Sequence, residues 1–430
     1  MALDCRSRRG AAALSMAAAG GEPRAPVAVR IVELDTPGDL DLTREQEPYR
    51  GALLIGLRNG APVGTASTSL AGRALLPAAT IAALFADAAP GRGAELAPPA
   101  PLPTVSVVVT TCAQEQSTAE AVASVLACEP APLEVIVVEN RPARSRVAAM
   151  LRERFPADGR VRCVEEPHVG LSSARNAGLW AAEGDVVAFT DDDVIVDHRW
   201  IGRIARAFAE EPDAACVTGL IVPGDLNTPT QLLMEQFAGF GKGFERRVHR
   251  LSAPSSPLAP FAAGEFGSGA CTALRREAGR ALGGFDPALG AGTASRGGED
   301  LDLFVRVLLA GHAIVYEPAA MLSHRHPDED RRLRNEIFSY GVGLVAMITK
   351  QALDGQALAI ARRIPLALRH LRDPASRKNV RKAPEYPRSF DWIERAGMVV
   401  GPFAYLRSRR HERRLAAASA TGPATAAPGR

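Results

Sequence analysis

From residue 104 the chain alternates short apolar runs rich in β-branched residues with stretches whose apolar positions recur at helical spacing. VSVVVTT, EVIVVEN, VRCVEE and DVVAFTDDD read as strands, with helices over 117–127, 143–154 and 171–182 between them. Strands separated by amphipathic helices imply βαβ crossovers and a mostly parallel sheet. The strand exits then bring Thr110, Thr111, Glu139, Glu165, Glu166, Asp191, Asp192 and Asp193 to one edge, where open α/β sheets bind ligands. The second half is less regular. A helix is expected over 200–209, a strand at ACVTGLIVP, a strand and helix in CTALRREAGRALGGF, an amphipathic helix in GGEDLDLFVRVLLAG and a last strand at HAIVYEP. Past His326 the pattern is helical, with breaks expected at prolines.

Ahead of this region, 27–87 reads as a small β-rich accessory domain whose Asn59-Gly60 pair marks a hairpin turn. The rest divides into a disordered leader (1–26), an Ala-, Pro- and Gly-rich linker (88–103), the α/β domain (104–328), a helical basic C-terminal region (329–415) and a disordered tail (416–430).

Composition adds three constraints. A 430-residue chain that is 47% hydrophobic can bury a substantial core. Its net charge of +3 conceals an asymmetry: residues 331–430 hold twenty basic and seven acidic residues, against 31 and 41 in the remainder. There IARRIPLALRHLRD and MVVGPFAYLRSRRHERR set short apolar stretches beside arginines, which suits either a peripheral contact with an anionic membrane or a packed helix with a solvated basic face. No aromatic-basic platform accompanies the charge, so a nucleic-acid partner is not expected. Six scattered cysteines without a CxxC pair point to a reducing compartment, hence the cytoplasm, and no run of apolar residues is long enough for a membrane span.

Four motifs carry the candidate chemistry. Asp191, Asp192 and Asp193 repel one another unless a divalent cation with oxygen ligands, Mg²⁺ or Mn²⁺, neutralises them, and such a cation commonly also holds phosphates. Glu139 at its strand end can accept hydrogen bonds from a ribose or base. In GLSSARNAG, Ser172 or Ser173 can cap a helix whose first turns present Arg175 and Asn176 to phosphate. The absence of GxxxxGK[ST] and GxGxxG excludes a P-loop NTPase and a dinucleotide dehydrogenase. Behind Gly297-Gly298, Glu299 and Asp300 open a helix; one suffices as a cap, and the other can serve as a general base toward a hydroxyl. His324, with His326 two residues on, can complete an aspartate site or meet a diphosphate.

In this order the motifs resemble family 2 glycosyltransferases of GT-A fold, over about residues 105–326 and half the chain. VSVVVTT stands as the first strand, VIVVEN holds the nucleoside-binding acid, GLSSARNAG the helix after it, FTDDD the DxD motif, GSGACTALRR the acceptor-side segment and GGEDLDLFVRV the ED motif. The resemblance implies a Rossmann-like mixed sheet flanked by helices and an inverting, metal-dependent transfer from a nucleotide diphosphate sugar to a glycan, lipid-linked glycan or small glycoside, as in cell-envelope or polysaccharide biosynthesis. It also implies roles. Thr110, Thr111 and Glu139 would line the nucleoside, with Arg175 and Asn176 near the diphosphate. Asp193 would be the direct metal ligand, Asp191 would lie nearer the donor ribose with Asp192 between them, and His324 would approach the metal. Asp300 would be the base, with Glu299 beside it. TTCAQ after the first strand and Glu139 in place of the commoner Asp depart from the family pattern and bear on donor identity. Two alternatives are a nucleotidyltransferase, which would need a Gly-rich basic loop absent from VSVVVTTCAQEQ, and a non-catalytic sugar-nucleotide-binding or scaffold protein.

Overall fold

The computed structural model describes residues 25–88, 101–372 and 387–421. Most of the proposed leader and linker, and the tail from 422, lie outside the described residues. The N-terminal strands β1 (Val27–Glu33), β2 (Leu40–Asp41), β3 (Gly51–Arg58), β4 (Ala61–Ser69) and β5 (Leu75–Leu76) precede a short helix, α1 (Ala78–Leu84). β1 pairs parallel with β3, and β3 antiparallel with β4 through a tight turn in which Asn59 and Gly60 both take positive φ. That is the backbone an Asn-Gly hairpin favours.

The larger sheet draws on β6 (Val105–Thr111), β7 (Glu134–Glu139), β8 (Val161–Glu165), β9 (Val186–Asp191), β10 (Val194–Val196), β11 (Ala214–Pro223), β12 (Arg247–His249), β13 (Thr272–Arg275) and β14 (Ala313–His324). Its order is β10-β14-β11-β13-β9-β6-β7-β8, with β12 also on β14. β8, β7, β6 and β9 run parallel, while β13 is antiparallel to both β9 and β11. The sheet is therefore mixed and helix-flanked, as the GT-A resemblance implies. β6 and β7 are buried along their whole length, with apolar centres at 107–109 and 135–138 and polar residues toward their ends.

The crossovers are α2 (Glu115–Leu126), α3 (Val147–Arg154) and α4 (Leu171–Ala181), followed by α5 (Trp200–Glu210), α6 (Pro229–Ala238), α7 (Arg276–Ala281) and α8 (Glu299–Leu309). α9 (Asp330–Gln351), α10 (Ala357–Arg372) and α11 (Arg388–Thr421) follow among the described residues. Two prolines do not break these helices as expected, while Pro374 and Pro384 lie outside the described residues. Pro365 and Pro402 lie inside α10 and α11, and the interruption falls at Asp354 and Gly355, where Gly355 takes φ 98°. α11 also carries 416–421, which composition assigns to the disordered tail; the alanine run there has high helix propensity. Among the described residues no helix is long and apolar enough to cross a membrane.

Candidate active site

The strand order reverses between β6 and β9, the point at which doubly wound sheets open a ligand crevice. Register there sets Thr110 opposite Asp191, Thr111 opposite Glu139 and Glu139 opposite Glu165. The convergence expected from the strand exits is thus a matter of backbone pairing.

The three aspartates diverge. Asp191 ends β9, and its Oδ1 accepts from Arg175 Nη2 at 3.1 Å and from Thr110 Oγ1 at 3.4 Å. Asp192 accepts from Thr111 Oγ1 at 2.6 Å. Burial pushes its pKa up to about 7; the Thr111 hydrogen bond opposes this, and Asp193 and Asp191 add to it. Asp193 turns toward β14, whose antiparallel pairing with β10 puts His324 opposite Val194. His324 Nε2 stands 3.4 Å from Asp193 Oδ1. Confinement raises the Asp193 pKa, with His324 opposing and Asp191 reinforcing.

Among the described residues no group of three or more His, Cys, Asp or Glu side chains is gathered closely enough to hold a metal ion in this conformation. The donor set nevertheless suits a divalent cation. Asp193 Oδ1 and His324 Nδ1 are buried without a hydrogen bond, and Asp192 and Asp193 are both pushed toward protonation by burial and by the neighbouring carboxylates. Oxygen-rich carboxylates with one imidazole match Mg²⁺ or Mn²⁺.

Arg175 is the centre of the arrangement. It is 1% exposed, reaches Asp191 on one side and donates through Nη1 to Glu299 Oε1 at 3.0 Å on the other. Phe285 underlies the guanidinium at 5.6 Å. The motif suggested an arginine free for phosphate; this one is committed to two carboxylates. Glu299 begins α8 behind Gly298, which takes φ 88° and would drive a Cβ to 2.4 Å from the Gly343 carbonyl oxygen. Burial raises the Glu299 pKa to about 7; Asp300 adds to the rise and Arg175 opposes it. Asp300 is half-buried and accepts through Oδ2 from the Gly269 N–H at 2.8 Å. A Cβ at Gly269 would sit 2.5 Å from Arg175 Nη1, so glycine there leaves room for the guanidinium while its N–H holds Asp300.

Other predicted residues have different employment. The Asn176 carboxamide donates to the Phe285 carbonyl at 2.8 Å and accepts from the Phe285 N–H at 2.7 Å, which ties it to the segment before α8. Neither serine caps α4, whose N-cap is Gly170; Ser172 donates to the Leu289 carbonyl. Glu139 is buried rather than exposed, and accepts from the Arg141 N–H and Ser145 Oγ. His326 is buried and bound to Glu235 at 2.7 Å.

Three residues escaped the motif reading. Glu336 on α9 is pushed up by burial and interacts electrostatically with His324 and Asp193. Tyr340, one turn on, donates to Glu336 at 3.4 Å, and Phe240 lies between Tyr340 and His324, with ring centroids 6.5 and 5.2 Å away. Only the i, i+4 spacing of Glu336 and Tyr340 hinted that they share a face.

Sheet order, the acids at its reversal and the acid pair opening α8 define an α/β domain with an acidic crevice at its switch point. Residues 106–282 match the family model described as Glycosyl transferase family 2. The chain is 34% identical over 205 residues to the succinoglycan biosynthesis protein ExoM of Rhizobium meliloti, covering 46% of this chain and 59% of that protein. It is 33% identical over 153 residues to the glucosyl-dolichyl phosphate glucuronosyltransferase of Haloferax volcanii, covering 33% and 48%. The chain thus spans about half the length of these curated relatives. Among solved structures it is similar to the mannosyltransferase PcManGT from Pyrobaculum calidifontis in complex with GDP-Man and Mn²⁺, with a TM-score of 0.43 and 20% identity over 77% of this chain and 79% of that one.

Proposed function

We propose that the chain is an inverting, metal-dependent glycosyltransferase that moves a sugar from a nucleotide diphosphate sugar to a hydroxyl of a glycan, lipid-linked glycan or small glycoside. The observation that carries this reading is the Asp191–Arg175–Glu299 bridge, which ties the acids at the strand reversal to the acids opening α8 through one buried guanidinium. Thr110, Thr111 and Glu139 would lie along the nucleoside. Asp193, Asp191 and His324 would hold Mg²⁺ or Mn²⁺, which when bound neutralises charge on the departing diphosphate.

Asp300 would take the acceptor hydroxyl proton. Its carboxylate is held in place by the Gly269 N–H. Glu299, with a pKa near 7, shares a proton at neutral pH, so the pair does not carry two full negative charges. The acceptor oxygen then bonds to the anomeric carbon opposite the phosphate, and the bond to the diphosphate breaks with its electron pair. The five cysteines among the described residues are unpaired, which supports action in a reducing cytoplasm or at its membrane face.

A thermal-shift screen against UDP-, GDP- and TDP-sugars, with and without Mn²⁺, tests the reading. One nucleotide should raise the melting temperature only with metal, and Asp193→Ala should abolish that shift. Asp300→Asn should keep the shift and lose on the order of 10²–10⁴-fold in turnover. A metal-dependent shift with no turnover toward any acceptor in the wild type would favour a sugar-nucleotide-binding protein. Unchanged turnover in Asp300→Asn would remove that residue from the base role.

A further inference from the structure

α11 has two unlike faces. One packs on α9 through Gly397, Gly401, Ala404 and Tyr405, all buried. On the opposite side Trp392, Ala396, Val399, Phe403 and Leu406 recur at spacings of three and four and form an apolar stripe about 21 Å long at 1.5 Å per residue. Trp392, Val399 and Phe403 are 68%, 70% and 71% exposed. Isolated apolar residues on a surface need no explanation, but a continuous helical stripe containing a Trp and a Phe does.

Charge indicates what meets it. Arg407, Arg410, Arg413 and Arg414 are exposed around the continuation of the same stripe. Of the acids of this helix, Asp391 and Glu394 are partly buried and Glu412 reaches His168 at 3.2 Å. α10 repeats the design, with Leu358, Ile364 and Leu368 at 63%, 51% and 49% exposure beside exposed Arg362 and Arg369.

We propose that the outward stripe of α11 docks on an anionic lipid surface, its apolar side chains entering the headgroup boundary and its arginines meeting lipid phosphates. A helix of this kind lies in the plane of the interface, held jointly by apolar burial and by attraction to anionic lipid. The proposal is independent of the chemistry at the β6–β9 reversal.

Co-sedimentation of the full chain with vesicles tests it. Binding should be strong with phosphatidylcholine mixed with phosphatidylglycerol, at least about tenfold weaker with phosphatidylcholine alone, and weaker as salt rises. Trp392→Ser combined with Phe403→Ser should reduce binding about tenfold or more, since both rings leave water on docking. Arg410→Glu with Arg414→Glu should do likewise, each arginine being worth about fivefold near an anionic leaflet. All four side chains are solvent-exposed, so melting temperatures should hold; Val399→Gln provides a milder apolar variant if the double change misfolds. Failure to sediment with anionic vesicles overturns the proposal, as does binding that these variants leave intact. A dimer seen by light scattering that Trp392→Ser and Phe403→Ser dissociate, without vesicle binding, would assign the stripe to a second copy of the chain and equally overturn it.

Discussion

Arg175 and Glu299 lie 124 residues apart and meet in a space closed to water. Removing Arg175 would leave the buried Glu299 without its cation, which costs about 3–5 kcal/mol in such pairs, whereas removing Glu299 would still leave Arg175 paired with Asp191. Glu299 also sets a pH dependence. Its folded pKa, about 7, lies above the ordinary carboxylate value. Between pH 4.5 and 7 the native state therefore holds a proton that the unfolded chain has released, and stability falls as pH rises through that window. Glu299→Gln keeps the shape and cannot titrate. The melting temperature of the wild type relative to Glu299→Gln should accordingly decrease from pH 5 to pH 8, and a difference constant across that range would deny the raised pKa. Sequence located these acids well, because Gly297-Gly298 before Glu299-Asp300 is a local signal. It could not show that Arg175 and Asn176 are also engaged by Glu299 and Phe285, because those partners lie more than a hundred residues away and a window around GLSSARNAG contains neither.

Among the elements, the strands were the most legible, since a strand buried on both faces needs an apolar centre, and β6, β7 and β9 have one at 107–109, 135–138 and 186–189. The antiparallel pairing of β10 with β14, which brings His324 to Asp193, left no trace in the pattern; its two partners are more than a hundred residues apart and β10 has only three residues. α9 was also read only as basic and helical, although it carries Glu336 and Tyr340 to the site. Its seat depends on a crossing with α11 that admits no side chains at three points. A Cβ on Gly341 would lie 2.1 Å from the Glu394 carbonyl oxygen, one on Gly397 2.2 Å from that of Phe338, and one on Gly401 2.8 Å from that of Val342. Gly397→Leu should therefore lower the unfolding free energy by about 1–3 kcal/mol, the usual cost of overpacking. Ala396→Leu, on the exposed side of the same turn, should change it little. Urea midpoints for the two variants measure the contrast; equal midpoints would mean that the helices separate freely.

At the scale of the molecule, the hydrophobic pattern marks 27–87 as β-rich but cannot say which core its strands join, because an apolar strand looks alike whichever partner covers it. The packing does say. Val27 and Leu53 cluster with Leu226 and Leu232, and Ile55 and Leu57 with Leu220, Val222 and Met321 of the large sheet. Backbone bonds of 2.9 and 3.0 Å join Val27 and Leu226 in a bridge, and beside it the Asp225 carboxylate accepts from the Val29 N–H at 2.9 Å, Arg30 at 2.7 Å and Tyr49 at 2.6 Å. β11 and β14 thus complete an apolar face with the N-terminal strands, and β14 goes on to present His324 to Asp193. Loss of those strands would open that face to water. Asp225→Ala strips three donors of their acceptor at once and should cost about 2–4 kcal/mol, given about 1.5–3 kcal/mol for a hydrogen bond to a charged group and partial rescue by water. Asp225→Asn, which keeps the shape and one acceptor oxygen, should cost less. If the N-terminal strands form one cooperative unit with the sheet, Asp225→Ala should lower a single unfolding transition followed by tryptophan fluorescence, since Trp180 and Trp200 lie only in the larger part. A fluorescence midpoint equal to the wild type would mean that the two parts unfold independently and that the N-terminal strands contribute nothing to holding β14 at the site.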